Sequence, residues 1–171
     1  MTTKEKPIDV IIRSETANDG PPIHTLLTEA FPEPVEAPLV DRLRADGDLV
    51  YSLVAERAGR IVGYAGFSVM IAPFRALGLG PVAVAEGERR QGIAAALILE
   101  GLKMARADTW HAVFVLGSPS YYSRFGFSVD AAAGFESRYA GPYLMALGLR
   151  EKGLPQSSGR VDYAPAFASV D

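Results

Sequence analysis

A short apolar strand, a polar turn and a long amphipathic helix follow one another in the middle of this sequence, and they restrict the fold more than any other feature. The strand covers residues 79–84 and has Gly80 and Pro81 near its start, as expected for an interior strand. The helix ends near Ala107 and carries an apolar stripe that can pack on a sheet: Ile93, Leu97, Ile98, Gly101, Leu102 and Ala105. A further strand at residues 110–116 completes a strand–helix–strand unit, which predicts a right-handed parallel crossover.

The turn between this strand and helix has the properties of an anion site. A helix N-terminus leaves backbone N–H groups unpaired and carries partial positive charge. Gly92 lacks a side chain that would hold an anion away from the backbone, Ala94 keeps the approach open, and Arg89 and Arg90 add positive charge. The residues alone leave two interpretations open: an anion-binding site, or an ordinary turn with solvated arginines.

Local patterns predict the remaining elements. Pro21 and Pro22 mark the first turn of a helix that stops at Phe31-Pro32, and Ala58-Gly59 predicts a hairpin turn. Ser118 before Pro119 predicts the start of a short helix, and we expect its hydroxyl to cap that helix. The other expectations are strands at 8–13, 50–57, 60–69 and 143–149, a helix after Pro38, loops at 71–78 and 130–141, a strand starting at Phe127, a polar surface segment at 151–160, and aromatic residues in 161–167 that dock on the core.

The turn resembles the acetyl-CoA-binding motif of the GNAT superfamily of N-acetyltransferases. The family pattern Gln/Arg-x-x-Gly-x-Gly/Ala is met by residues 89–94, which read Arg-Arg-Gln-Gly-Ile-Ala. The family also often has a tyrosine four residues before a Gly-Phe pair, and Tyr122 precedes Gly126-Phe127 in this way. The two motifs stand about 30 residues apart in the expected order. Residues 79–84, 113–127 and 161–167 look like the YhbS-like branch of the superfamily, so the likeness spans roughly residues 8–167.

The resemblance implies the fold and the domain organisation. The GNAT acyl-CoA N-acyltransferase fold is an α/β (α+β) arrangement with a central twisted, mostly antiparallel sheet. One parallel pair of strands splays apart, and helices flank the sheet. A chain of 171 residues has the size of one domain. We expect a GNAT domain at residues 8–150, with residues 151–171 as a C-terminal extension packed on it.

The resemblance also assigns roles to site residues. The splayed strand pair would leave the backbone groups of Val82, Ala83 and Val84 free. The Val82 N–H would bind the thioester carbonyl oxygen and hold the oxyanion, and Val84 would pair with the pantetheine arm. Tyr122 would give its proton to the departing thiolate, and the neighbouring Tyr121 would pack. The pyrophosphate would bind the N–H groups of the motif residues: Arg89, Arg90, Gln91, Gly92, Ile93 and Ala94.

The sequence departs from the family in one respect. Many relatives place a glutamate on the fourth strand as general base, but residues 77–84 contain no carboxylate, and the first one is Glu86 in the turn. Four residues are candidates for the acceptor side, and the sequence does not choose among them: Glu29, Glu33, Glu36 and Tyr51. The amine could be deprotonated by a base elsewhere in the chain acting through water, or it could arrive neutral and require no base.

Composition limits the function classes. A net charge of −3 argues against nucleic acid, and the absence of cysteine with only two histidines argues against a metal site. The N-terminus has no apolar signal core and the chain no long apolar run, so we expect a cytoplasmic protein without membrane contact. Dimers are frequent in the family, although no residue here demands one.

Together these observations predict an N-acetyltransferase. It would use acetyl-CoA as cosubstrate, without a metal, and acetylate an unidentified primary amine of a small molecule or a peptide by direct transfer in a ternary complex. A non-catalytic acyl-CoA-binding or sensor module of the same fold is the alternative. A nucleotide-phosphate binder of another fold is disfavoured because the chain has no P-loop and no dinucleotide glycine pattern.

Overall fold

A mixed sheet with helices on both faces forms the protein, as seen in a computed structural model that describes residues 9–170. The helices are α1 (Gly20–Ala30), α2 (Glu36–Asp46), α3 (Ile93–Ala107), α4 (Pro119–Tyr122) and α5 (Val129–Ala132). The strands are β1 (Ile11–Ser14), β2 (Leu49–Arg57), β3 (Arg60–Val69), β4 (Ala76–Val84), β5 (Ala112–Leu116), β6 (Phe135–Glu136), β7 (Leu144–Gly148) and β8 (Gly159–Arg160). Six strands form the main sheet in the order β1-β2-β3-β4-β5-β7, and β6 pairs with β8.

The β4–β5 pair is the parallel pair of the main sheet, and all its other pairings are antiparallel. The parallel ladder begins at Ala76 opposite Ala112 and ends at Leu79 opposite Val115. Strand β4 continues to Val84 but is paired there only with β3. The ladder to β5 ends two residues before Pro81, which has no N–H to donate, and the register between β3 and β4 shifts at the same place. The predicted mixed sheet with a splayed parallel pair is therefore confirmed.

Helix α3 covers one face of the sheet. Its buried stripe, including Leu97, Ile98 and Leu102, packs with Leu77 of β4 and Phe67 of β3. The fit is close enough to require glycine at position 101, because a Cβ there would lie 2.1 Å from the Phe67 ring. The predicted apolar stripe is confirmed, and the helix N-terminus is fixed beside the end of β4.

The other face is covered by α1, α2 and the C-terminal segment. Ile23 and Leu27 of α1 and Val40 of α2 are buried with Tyr64 of β3. Farther along the chain, Val161, Tyr163, Ala164 and Ala166 are buried, and Asp162 forms an antiparallel bridge with Ile71. A Cβ at position 78 would lie 2.4 Å from the Tyr163 ring, so β4 has glycine where this segment crosses it. The expected docking of aromatic residues from 161–167 is confirmed.

Several local predictions are wrong. No strand begins at Phe127: Ser128 forms one bridge to Ala146, and its Oγ accepts a hydrogen bond of 3.2 Å from the Ala131 N–H, which starts α5. The segment expected as a loop at 130–141 contains α5 and β6, and the loop after residue 71 ends at Ala76, where β4 begins. The helix expected after Pro38 begins earlier, at Glu36.

The Ser118 hydroxyl does not cap α4. It lies 2.9 Å from the Ser120 hydroxyl instead, although the backbone of Ser118 does occupy the N-cap position. The hairpin turn at Ala58-Gly59 is confirmed, with φ values of +50° and +78°. Strand β1 runs from Ile11 to Ser14, whereas the start of the predicted strand at residue 8 lies outside the described residues.

Within residues 9–170, none of the helices is long and apolar enough to cross a membrane. The same residues contain no group of three or more histidine, aspartate or glutamate side chains placed to hold a metal ion.

Candidate active site

A cavity of about 420 Å³ opens where β4 and β5 separate. Val82 and Val115 of the two strands line it, together with Tyr122 at the end of α4. Glu36 at the start of α2 and Phe167 of the C-terminal segment also line it. Most of this lining is apolar, and the cavity joins segments from both halves of the chain.

The backbone of β4 presents hydrogen-bonding groups to this gap. The Ala85 N–H donates to the Val62 carbonyl at 2.9 Å, so Val84 and Gly63 are a pair without mutual hydrogen bonds. In the alternating antiparallel pattern, the N–H and C=O of Val82 and Val84 therefore point away from β3, toward the side that β5 has left. Those of Ala83 point toward Tyr64 of β3, so the expectation that Ala83 offers free backbone groups is wrong, and Ala83 lines neither this cavity nor the one described next.

A second cavity of about 480 Å³ lies at the N-terminus of α3. Five of the motif residues predicted to bind pyrophosphate line it: Arg89, Arg90, Gly92, Ile93 and Ala94. Gln91 is exposed, and its side-chain oxygen accepts a hydrogen bond of 2.9 Å from Arg57. Val84 also lines this cavity, so the free edge of β4 runs from the first cavity to the second.

The conformation of the turn depends on residues with positive φ. Arg90 has a φ of +67° and Gly92 of +80°, and α3 begins at the next residue. Left-handed residues in a tight turn can bring neighbouring N–H groups to one concave surface that suits an anion. Glycine is favoured at position 92 for this conformation as well as for the lack of a side chain.

The charge around the second cavity is positive. Its one acidic lining residue among those described, Glu88, pairs with Arg57 at 2.5 Å. Arg89 and Arg90 are exposed at the rim, and Arg89 Nε donates to the Val84 carbonyl at 3.1 Å. Fixed cations beside a helix N-terminus provide a strong electrostatic preference for phosphate.

Arg124 is a further lining residue that the sequence did not single out. It is exposed, and its guanidinium carbon lies 4.6 Å from the centre of the Tyr121 ring. Nothing in the local sequence distinguishes Arg124 from a solvated surface arginine, because it joins the motif only through the packing of the short helix after β5. Arg57 was missed for the same reason, since it lies on β2.

The adjacent tyrosines face different cavities. Tyr122 lines the first cavity and Tyr121 the second, with ring centres 5.0 Å apart and planes nearly perpendicular. The Tyr122 ring lies against bare backbone, because a Cβ at Gly117 would be 2.6 Å from it. Burial, with a smaller contribution from Tyr121, raises the pKa of Tyr122 to about 12. The phenol is therefore protonated at neutral pH and can donate a hydrogen bond into the cavity.

Among the four candidates for the acceptor side, Glu36 lines the first cavity. Its Oε2 is inaccessible to solvent and has no hydrogen-bond partner among the described residues. Glu29 and Glu33 are exposed, and the Tyr51 hydroxyl donates a short hydrogen bond to the Asp108 carboxylate. The structure thus separates Glu36 from the other three.

The divergent parallel strands, with a basic helix N-terminus at one end of the gap, define the class of protein. The sequence matches the acetyltransferase (GNAT) family over residues 21–127, and the chain belongs to this family of acyltransferases.

Two relatives extend the match over most of the chain. Over 136 residues the chain is 40% identical to the uncharacterized N-acetyltransferase YhbS of Escherichia coli K12, covering 77% of this chain and 81% of that protein. The crystal structure of E. coli YhbS in complex with CoA superposes with a TM-score of 0.89 at 34% identity, covering 98% of this chain and 96% of the other. A GNAT acetyltransferase of Brucella melitensis in complex with acetyl-CoA gives a TM-score of 0.78 at 31% identity, with 92% and 97% covered.

Proposed function

We propose that this acetyltransferase moves the acetyl group of acetyl-CoA directly to a primary amine of a small molecule or a peptide within a ternary complex. One observation carries the proposal: the free edge of β4 connects the second cavity, which is basic and lies at a helix N-terminus, with the first cavity, which contains a protonated tyrosine. A thioester with a charged diphosphate at one end and an acyl group at the other fits this arrangement. The relatives crystallised with CoA and acetyl-CoA support the choice of cosubstrate.

The residues present fit the parts of acetyl-CoA in order. The concave N–H groups of the turn, with Arg89, Arg90 and Arg124, would hold the phosphates. The outward N–H and C=O groups of Val84 would bind the amides of the pantetheine arm as a neighbouring strand would. Because Arg89 donates to the Val84 carbonyl in the described structure, its guanidinium would have to share or release that oxygen when the arm binds.

The chemistry takes place in the first cavity. The amine nitrogen attacks the thioester carbonyl carbon, the Val82 N–H stabilises the resulting oxyanion, and the carbon–sulfur bond then breaks. A phenol with a pKa of about 12 is a weaker acid than a thiol, which titrates near about 8.5. Tyr122 would therefore stabilise the departing thiolate mainly through a hydrogen bond, and the proton that stays on sulfur would come from the amine.

A screen of primary amines tests this function. We expect acetyl-CoA to raise the Tm, because it binds the folded state, and particular amines to cause release of CoA thiol. Mass spectrometry should find one acetyl group on each such amine. If millimolar acetyl-CoA leaves the Tm unchanged, the cosubstrate is wrong. If it raises the Tm but no amine is acetylated, the non-catalytic acyl-CoA-binding module replaces the present proposal.

A further inference from the structure

We propose that Glu36 binds the ammonium group of the acceptor, and that this acceptor is a primary amine on an uncharged apolar skeleton. The proposal rests on the acetyl transfer proposed above and adds the acceptor side, for which the sequence offered four candidates and no choice. It depends on three observations: an unsatisfied carboxylate oxygen, its place in the reaction cavity, and the chemistry of the surrounding wall.

The first observation is the unsatisfied oxygen. Glu36 Oε2 is out of contact with solvent and accepts no hydrogen bond from any described residue. Removing a carboxylate oxygen from water without replacing its hydrogen bonds is costly, and a native protein retains such an atom when something else satisfies it. An ammonium group has three N–H donors and a full positive charge, so it can satisfy this oxygen once a rotation of the Glu36 side chain turns Oε2 into the cavity.

The second observation is the position of Glu36 in the cavity. It lines the same 420 Å³ space as Val82 and Tyr122, which the proposed mechanism places at the thioester carbonyl and the leaving sulfur. A nitrogen held by Glu36 is therefore in the compartment where it must attack. The volume is that of a pocket for a small molecule.

The third observation is the wall around Glu36. Besides Tyr122, four aromatic side chains line the cavity: Phe31, Tyr139, Tyr163 and Phe167. The Tyr163 ring packs on Phe167 with centres 4.8 Å apart and on Tyr139 with centres 5.6 Å apart, which gives a continuous aromatic surface. Aromatic faces favour an apolar skeleton and also tolerate a nearby cation.

The lining of this cavity also excludes some amines. None of the described residues that line it is lysine, arginine or histidine. A carboxylate on the acceptor would meet the negative charge of Glu36 without a cation to offset it. Free α-amino acids should therefore be poor acceptors, whereas the corresponding amines without the carboxylate should be good ones.

Glu36 also completes the proton balance. The ammonium loses one proton to the carboxylate, which makes the nitrogen nucleophilic, and the carboxylate passes that proton to solvent after transfer. When the carbon–sulfur bond breaks, a second nitrogen proton goes to the departing sulfur, and the products are the amide and the CoA thiol. Glu36 is thus both the binding partner of the acceptor and the base, on α2 and not on the fourth strand.

The kinetic test compares phenethylamine with phenylalanine, which differ by one carboxylate. In the wild-type protein we expect kcat/KM for phenethylamine to exceed that for phenylalanine by at least about 10-fold. Glu36→Gln should raise the KM for phenethylamine by about 10- to 100-fold. Acetyl-CoA should still raise the Tm of the Glu36→Gln variant as it does that of the wild-type protein. Glu33→Gln, at an exposed neighbouring position, is the matched control and should behave as wild type.

A binding measurement keeps the test independent of turnover. Calorimetric titration of phenethylamine into the protein saturated with CoA should show binding that Glu36→Gln weakens by the same factor. Equal affinities in the two proteins, equal kcat/KM for the two acceptors, or acetylation restricted to amines with a carboxylate would overturn the assignment. If acetyl-CoA does not raise the Tm of the wild-type protein, the proposed function itself is contradicted.

Discussion

The two ends of the gap between β4 and β5 differ in how they are built. The phosphate end is formed mostly by one contiguous stretch, residues 84–95, with Tyr121 and Arg124 added from the helical segment after β5. The acceptor end takes residues from the segment just after α1, from α2, from both diverging strands and from the C-terminal segment. One end is therefore a local motif, and the other is an assembly that exists only in the folded chain.

The two ends also differ in charge. Arginines surround the phosphate end, and its acidic residue Glu88 is neutralised by Arg57. Within the described part of the chain, the acceptor end has aromatic side chains, no basic lining residue, and a glutamate with one oxygen that has no hydrogen-bond partner. A molecule with its negative charge at one end and its reactive carbonyl at the other can bind in one orientation. Substitutions at each end should therefore change different kinetic constants.

The largest effect is expected at the phosphate end, from Gly92→Glu. The substitution forces a side chain into a backbone conformation with a φ of +80° and places negative charge where phosphates would bind. We expect the affinity for acetyl-CoA to fall more than about 100-fold and the Tm shift to disappear. Gly87→Glu adds the same charge at an exposed position with ordinary φ, and it should retain most of the affinity. Equal binding by both variants would place the phosphates elsewhere.

Tyr122→Phe should distinguish most clearly between the catalytic role of the acceptor end and the binding role of the phosphate end. The substitution removes the phenol from the acceptor cavity and leaves the phosphate cavity intact. We expect kcat to fall about 100-fold with little change in affinity for acetyl-CoA, measured by steady-state kinetics and calorimetry. Tyr121→Phe is the matched control and should keep kcat near the wild-type value. A similar loss in both variants would indicate that the ring pair acts through packing.

The pKa of Tyr122 adds a pH test to this comparison. Burial raises it to about 12, so the neutral phenol predominates throughout the range in which a free tyrosine begins to ionise, near about pH 10. Below pH 10 the rate of the wild-type protein should therefore not fall unless the rate of the Tyr122→Phe variant falls in the same way. Such a fall in the wild-type profile alone would show that the phenol ionises earlier.

Arg124→Gln should give a smaller effect confined to the phosphate end. Losing one exposed cation near the phosphates should raise the KM for acetyl-CoA about 10-fold, less at high salt, while kcat stays within about twofold. Arg42→Gln removes an exposed arginine of α2 that does not line either cavity and serves as the control. An unchanged KM for Arg124→Gln would remove this residue from the phosphate site.

The smallest kinetic effect is expected from Asp19→Asn, which touches neither end. Arg13 donates two hydrogen bonds to the carboxylate of the buried Asp19, the shorter of which is 2.6 Å long, and Thr16 donates another. These hydrogen bonds hold the pKa of Asp19 well below its usual range. A lowered pKa means stability that is present above about pH 4 and lost as the pH falls below it. The substitution should lower the free energy of unfolding, measured with urea at neutral pH, by about 2 kcal/mol. It should also make the loss of stability below pH 4 less steep, and it should leave KM and kcat unchanged. A changed KM would couple this cluster to the site.

The errors of the sequence reading follow the same division between local and long-range structure. The strand expected at Phe127 failed because Ser128 is an N-cap for a helix of only four residues, too short to show a periodicity. Arg57 and Arg124 were missed because each reaches the motif from another element. The role of Tyr122 was assigned by resemblance and remains a prediction, although the structure does place the two tyrosines in different cavities.

The sequence by itself determined the sheet-packing helix, the glycine turn that opens it and the hairpin before it, because their signals lie within a few residues of one another. It also contained the family motifs. Only the tertiary structure decided which glutamate faces the reaction cavity, which arginines converge on the turn and which backbone groups of β4 are unpaired. These depend on the separation of two strands and on the packing of distant segments, and no local pattern of residues encodes a distance between elements far apart in the chain.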